Sequence, residues 1–347
     1  MSKSLRSGGT SAQATGPISS NSTSESTTSD LPNSLVQTLV QTALSKIGKV
    51  GGLLEFAADD VDVGEADTSV EAVIPAPRKQ QTAPLPKLRP DHKNTNEYAD
   101  YEKGTAFLRG EDDDHAVSPN DVAQGSLGDC YLMAAMVAVA RAKPEAIEEL
   151  IADNGDGTFD VNLHVRDNWY GSPKPKTHTL DTRVPEKYEG TPLYAKLGDQ
   201  SSESQEMWPA LLEKALAQEK GGYEDIRGSK IANGGFNYAG ALELLTGKGE
   251  TAHDTKDLDE DEALLHIQKA LSEKKPIVAG VHNMKDDPEK ADEARKHNVY
   301  GNHAYAPESV DLEHRTVSLT NPWGKKHVEA IPIADFMKYY SRIRIGD

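Results

Sequence analysis

Cys130 is the only cysteine among 347 residues, and its setting favours a reactive thiol. A lone cysteine ordinarily packs as a small inert hydrophobe. Here it follows Gln124-Gly125-Ser126-Leu127-Gly128-Asp129 and opens an apolar run ending at Arg141, before Pro144. The glycines permit a tight turn, and the run reads as a buried helix with Cys130 at its N-terminus. Unpaired backbone N–H groups and about half a positive charge at that end stabilise a thiolate. Such a nucleophile needs an imidazole to exchange its proton and a third group to orient the ring.

Eleven histidines compete for that role. His92 lies in a linker, His115 follows an acidic loop, and His164 and His178 fall in a sheet region without an evident orienting partner. His303 opens a strand running to Val310, followed by a polar turn at Asp311-Leu312-Glu313 and a returning strand from His314 to Thr320. A hairpin with that turn places His303 directly opposite Asn321. A neutral amide can orient the ring without a second buried charge, and Trp323 can shield their bond from water. Without Cys130, Asn321-Pro322-Trp323 would read as a strand-ending turn with a core tryptophan. The backbone N–H of Cys130 and the side-chain amide of Gln124 are the candidate oxyanion donors.

Other elements must position these groups. Phe159 to Arg166 alternates as a half-buried strand, and Thr179 to Val184 is its expected neighbour. Helical patterns cover Trp208 to Gln218 and Leu258 to Glu273, and Ile277 to His282 has strand character. Upstream, Ser2 to Asp30 has almost nothing to bury and is expected to be disordered. Leu35, Leu39, Val40, Leu44, Ile47, Val50 and Leu54 recur at helical spacing, giving an amphipathic helix near 35–50 weakened by Gly51-Gly52. An acidic stretch at Asp59 to Glu71 and a Pro-rich one at Pro75 to Pro90 read as linker.

Bulk composition narrows the function. A formal net charge of -18 argues against a nucleic-acid partner, because phosphate binding draws on clustered Lys and Arg. A mean hydropathy of -0.63 fits a packed core carrying a polar tail. One cysteine excludes an intrachain disulfide, so a cytoplasmic setting is the simplest expectation. The longest apolar run, Tyr131 to Ala140, is about half of the roughly twenty residues a spanning helix requires. Met1 to Asp30 lacks the apolar core of a Sec signal. Its serine-rich character leaves secretion by a non-Sec route as the alternative.

Gln124-Gly125-Ser126-Leu127-Gly128-Asp129-Cys130-Tyr131-Leu132 closely resembles the active-site segment of calpain cysteine proteases. Trp208-Pro209-Ala210-Leu211-Leu212-Glu213-Lys214-Ala215, Gly221-Gly222-Tyr223-Glu224, His303-Ala304-Tyr305, Asn321-Pro322-Trp323-Gly324 and the closing Ile333 to Arg342 segment follow in that family's order. The resemblance implies an α+β, papain-like two-lobed peptidase core. Its central-helix lobe would span residues 96–230 with Cys130, and its antiparallel β-sheet lobe residues 231–347 with His303 and Asn321. A disordered Ser/Thr- and Pro-rich extension, 1–95, would precede them. The implied activity is endopeptidase cleavage of protein substrates through a Cys-His-Asn triad and an acyl-enzyme. The alternatives are a catalytically silent binding module, which the presence of all three residues disfavours, and an acyltransferase or deamidase using the same triad.

The resemblance implies further sites. Gly234-Gly235 matches the family's glycine pair beside the cleft, whose backbone bonds an extended substrate. Asp121 and Glu206 match the acidic ligands of a first-lobe calcium site, calcium being the only cofactor implied. The acidic loop usual after Asn-Pro-Trp is replaced by Gly324-Lys325-Lys326-His327, against a second-lobe site. Tyr131 stands where a tryptophan is usual, and Asn302 where a glycine is usual. No C2-like or EF-hand module follows before Asp347, as expected of a small, bacterial-type member. A secretion chaperone or an inhibitor completes the set of expected partners.

Overall fold

A computed structural model of the chain describes residues 82–88, 97–111, 113–166, 171–188, 190–228 and 240–347. The expected N-terminal disorder, the helix near 35–50, most of the linker and the Gly234-Gly235 pair lie outside the described residues.

The first lobe is built on a helix, α1 (Cys130–Ala142), in which every residue from Tyr131 to Ala140 is buried. A helix apolar on all sides must be surrounded, and this one is. Strands β1 (Ile151–Asp153), β2 (Thr158–Val165) and β3 (Lys174–Asp181) form an antiparallel sheet beside it. The neighbour expected at Thr179 to Val184 is split. Residues up to Asp181 pair with β2, whereas Arg183–Tyr188 pairs with Glu97–Asp100 in another sheet. The Asp181 carboxylate accounts for the corner, accepting from the backbone N–H of Arg183 at 3.2 Å and from the buried Lys214 Nζ at 2.7 Å. Lys214 belongs to α2 (Trp208–Lys220), which packs near the turn before Cys130 and includes the fully buried Trp208.

The second lobe is a six-stranded antiparallel sheet. Its strands are β4 (Glu250–Asp254), β5 (Ile277–Val281), β6 (Ala304–Asp311), β7 (Thr316–Thr320), β8 (Val328–Pro332) and β9 (Tyr340–Gly346), in the order β8-β7-β6-β5-β9-β4. Alternation along its central strands serves two cores. Val278, Ala304 and Ala306 join the cluster around α1, while Ala279, Tyr305, Val317, Leu319 and Ile343 join a second cluster under α3 (Glu260–Ser272) and α4 (Ile333–Tyr339). The two alanines leave room for the helix to lie close to the sheet. Truncating a fully buried residue such as Leu132 or Met136 at this seam would cost about 2–5 kcal/mol.

The His/Asn hairpin differs from the sequence expectation in register. Strand β6 extends to Asp311, and Leu312 to Arg315 form the turn, held by the Asp311 carboxylate accepting from the His314 N–H at 2.9 Å. Ala306 lies opposite Thr320, and a bulge at Glu308 shifts the pairing beyond Pro307. His303 is therefore two positions from the point opposite Asn321. A two-residue offset preserves the face of the sheet, so the pair meets diagonally.

Candidate active site

The turn leading to Cys130 is locked against its neighbour. Ser126 N–H donates to the Leu193 carbonyl at 2.9 Å, and Lys196 N–H to the Ala123 carbonyl at 2.9 Å. A Cβ on Gly125 would lie 1.9 Å from the carbonyl oxygen of Tyr194 and 2.5 Å from that of Leu193, so only glycine fits. A Cβ on Gly128, by contrast, would meet only Arg227 Nε, at 3.7 Å, an ordinary contact. Cys130 is the first residue of α1 and is half-buried. Tyr131, next along, is buried and donates its hydroxyl to the Ile226 carbonyl at 2.9 Å. The ring at the unusual position is thereby anchored.

His303 is buried at the start of β6, and its Nε2 lies 2.9 Å from Asn321 Oδ1. The amide oxygen can only accept, so Nε2 carries the proton and a neutral ring keeps Nδ1 as its basic nitrogen. The ring sits 4.5 Å from that of Trp323, tilted by 35°, and 4.9 Å edge-on from that of Tyr305. Burial among these rings holds the imidazole down to a pKa of about 4, against the opposing bond to Asn321. Tyr305 also connects the two halves of the site. Burial raises its hydroxyl far above the ordinary range, and a negative charge at Cys130 would raise it further. Asn302, in place of the expected glycine, has φ 59°, a left-handed conformation that asparagine tolerates.

The lobes are stitched together next to these residues. Gln124 N–H donates to the Pro322 carbonyl at 2.8 Å. At the far end of α1, Arg141 donates to the Pro307 carbonyl at 3.2 Å and to Thr320 Oγ1 at 2.6 Å; Thr320 in turn donates to Glu308, the bulged residue, at 3.0 Å. The Gln124 side chain faces inward. Its Nε2 donates to the Leu127 carbonyl at 2.7 Å and to Asp129 Oδ1 at 3.1 Å, so serving an oxyanion requires release of one of these bonds. Asp129 in turn shares a hydrogen bond with Glu213, both fully buried, and burial raises both carboxyls. Two adjacent buried carboxyls cannot both ionise cheaply, and repulsion from Asp129 adds to burial in pushing Glu213 well up.

Asp121 and Glu206 are both buried in the first lobe. Asp121 Oδ2 accepts from the Ser118 N–H at 2.6 Å and from Trp208 Nε1 at 2.9 Å. Glu206 accepts from the Leu108 N–H at 2.9 Å and the Asp199 N–H at 3.0 Å. Oxygens of Asp113, Asp121 and Asp199 lie within 4.8 Å of one another, and Asp199 Oδ2 is an orphaned buried oxygen. Burial raises Asp121 to about 6, with repulsion from Asp113 and Asp199 adding, and Glu206 to about 8, with repulsion from Asp121 and Asp199 adding. A cluster of hard oxygens short of positive charge fits calcium. Nothing in the spacing of Asp113 and Asp199 sets them beside Asp121 in the sequence.

Cys130 thus opens a buried helix, and the sheet packed on that helix carries the paired His303 and Asn321. The calpain family cysteine protease profile matches residues 103–345, and the chain belongs to that family. Mouse (Mus musculus) calpain-8 is 27% identical over 220 residues, 59% of this chain and 28% of the relative. Drosophila melanogaster calpain-A is 28% identical over 221 residues, 59% and 24% respectively. The rat (Rattus norvegicus) calpain-2 catalytic subunit is 31% identical over 129 residues, 35% and 17%. The chain thus spans well under a third of the length of these relatives. Among the described residues no helix is long and apolar enough to cross a membrane.

Proposed function

We propose that the chain is an endopeptidase in which Cys130, His303 and Asn321 form the triad. The observation that carries this reading is the 2.9 Å bond from His303 Nε2 to Asn321 Oδ1, which leaves Nδ1 as a base in a buried, neutral ring. Cys130 Sγ gives its proton to Nδ1 and attacks the peptide carbonyl carbon. The negative charge on the carbonyl oxygen is met by the Cys130 backbone N–H and by Gln124 Nε2 once it leaves Asp129. Collapse of the tetrahedral intermediate breaks the C–N bond, and Nδ1–H protonates the departing amine. Water, deprotonated at Nδ1, then attacks the thioester; the C–S bond breaks, the acid leaves and the thiol recovers its proton. Trp323 keeps bulk water from the His303–Asn321 bond, and Gly234-Gly235 bond the extended substrate.

Calcium is the regulatory ion in this reading, held by Asp121, Asp113 and Asp199 with Glu206 behind them. When bound it supplies charge neutralisation that firms the first-lobe loops. The working location is cytoplasmic, with non-Sec export and its chaperone or inhibitor partners as the alternative. Wild type and Cys130→Ala are compared on an unfolded protein substrate, with products read by mass spectrometry. Internal cuts by wild type alone are expected. Equal cleavage by both refutes the triad, and products with transferred acyl groups or deamidated side chains refute peptidase chemistry. Calcium titration belongs to the same experiment, and full activity in excess chelator rejects calcium control.

A further inference from the structure

The loop after the Asn-Pro-Trp motif holds Asn321 in place. Every polar atom of its carboxamide is engaged: Oδ1 accepts from His303 Nε2 at 2.9 Å and from the Trp323 N–H at 3.1 Å, and Nδ2 donates to the Lys326 carbonyl at 3.2 Å. The backbone N–H of Asn321, just beyond the end of β7, donates to His327 Nδ1 at 3.1 Å. Gly324 at φ 67° and Lys326 at φ 56° turn the chain back so that residues 326 and 327 return to Asn321. His327 is itself tethered. Its carbonyl accepts from Asn298 Nδ2 at 2.9 Å, and the Asn298 carbonyl accepts from the Tyr305 hydroxyl at 2.9 Å. The Tyr305 ring meets His303 edge-on at 4.9 Å, closing a circuit that returns to the catalytic imidazole.

A buried N–H at a strand end needs an acceptor, because leaving it unmade forfeits its desolvation free energy. A carboxylate there would place a charge against the triad. A neutral imidazole supplies the acceptor without one, provided its Nδ1 carries no proton. We infer that His327 is a positioning residue: its Nδ1 fixes the Asn321 backbone, and through it the carboxamide that sets the tautomer and direction of His303. The inference rests on the triad reading for its kinetic consequence, and on geometry alone for its structural one.

The test compares His327→Asn and His327→Leu in the full chain. An asparagine Oδ1 can occupy the place of Nδ1 and accept the same N–H; leucine fills the volume and accepts nothing. His327→Leu is expected to lower kcat about tenfold or more, because small misplacement of a catalytic group is costly, while KM stays near wild type and Tm falls by a few degrees for the N–H left without an acceptor. His327→Asn is expected to restore kcat to within about threefold. Proton NMR supplies a readout independent of turnover. The His303 Nε2–H, sheltered and bonded to Asn321, should give a slowly exchanging downfield signal in wild type and His327→Asn that His327→Leu loses. Unchanged kcat and an unchanged ring signal in His327→Leu overturn the inference, as does failure of asparagine to restore either. If wild type cleaves no peptide bond but the signal behaves as described, the triad reading fails and the positioning role stands.

Discussion

Protonating His303 should unfold the protein more readily than the loss of any exposed histidine would. The ring is buried, and its pKa of about 4 lies well below the ordinary 6.5. Between those values the unfolded chain takes up a proton that the folded chain refuses, so stability falls as the pH drops through 6.5 and levels off below about 4. The full difference of about 2.5 pK units is worth about 3 kcal/mol, of which about 2.5 kcal/mol is lost between about pH 7 and about pH 4.5. His303→Gln keeps an amide donor for Asn321 and removes the titration. Urea unfolding of both proteins at the two pH values forms a double difference in which the acidic groups cancel. Wild type should lose about 2.5 kcal/mol more than the variant. An equal loss, or a smaller one in wild type, would show that the folded ring takes its proton as readily as the unfolded one. That would mean a thiolate at Cys130 holds His303 as an imidazolium, and the neutral resting pair argued from burial would be wrong.

Two further perturbations probe the seam and the buried carboxyls. Arg141→Leu removes the donors to the Pro307 carbonyl and Thr320 and leaves Glu308 without its cation, which should cost about 2–4 kcal/mol in urea unfolding, with Arg141→Lys intermediate. Glu213→Gln preserves a donor toward Asp129 and an acceptor for the Ala195 N–H. Because the folded carboxyl binds its proton more tightly than the unfolded one, wild-type stability should decline as pH rises above the ordinary carboxylate range, and Tm scans should show that decline flattened in the variant.

The sequence exposed what depends on local pattern and hid what depends on packing. The run from Tyr131 to Ala140 is apolar on every side, so a central helix beginning at Cys130 was legible, and α2 and α3 lie within two residues of their expected bounds. The pairing of His303 with Asn321 was legible for a different reason than the one that operates. A directly opposed pair was expected from a shorter turn, whereas the bulge at Glu308 and the turn at Leu312 to Arg315 change the register by an amount that preserves the face. Asp113 and Asp199 join Asp121 only in space, across loops with no periodicity to read. Glu213 looked like part of a helical motif; its burial against Asp129 depends on how α2 rolls onto the turn before Cys130. His327 was visible as a departure from the family's acidic loop, but its contact with Asn321 depends on the left-handed turn at Lys326.

The alternation in β6 limits how this lineage can vary in length. A one-residue insertion before Pro307 would exchange Ala304 and Ala306 with their neighbours, driving the ring of Tyr305 into the space where α1 admits only methyl groups. Beyond Glu308 the constraint lapses, because the bulge has already decoupled the distal half of the hairpin from the half that carries His303. Length change is therefore best placed at the exposed Leu312 to His314 tip, short of Arg315, whose side chain donates to Glu260 and Asp261 and whose carbonyl accepts from the Ile333 N–H; that tip is the place to graft a tag or a fluorescent label without moving the His303–Asn321 pair.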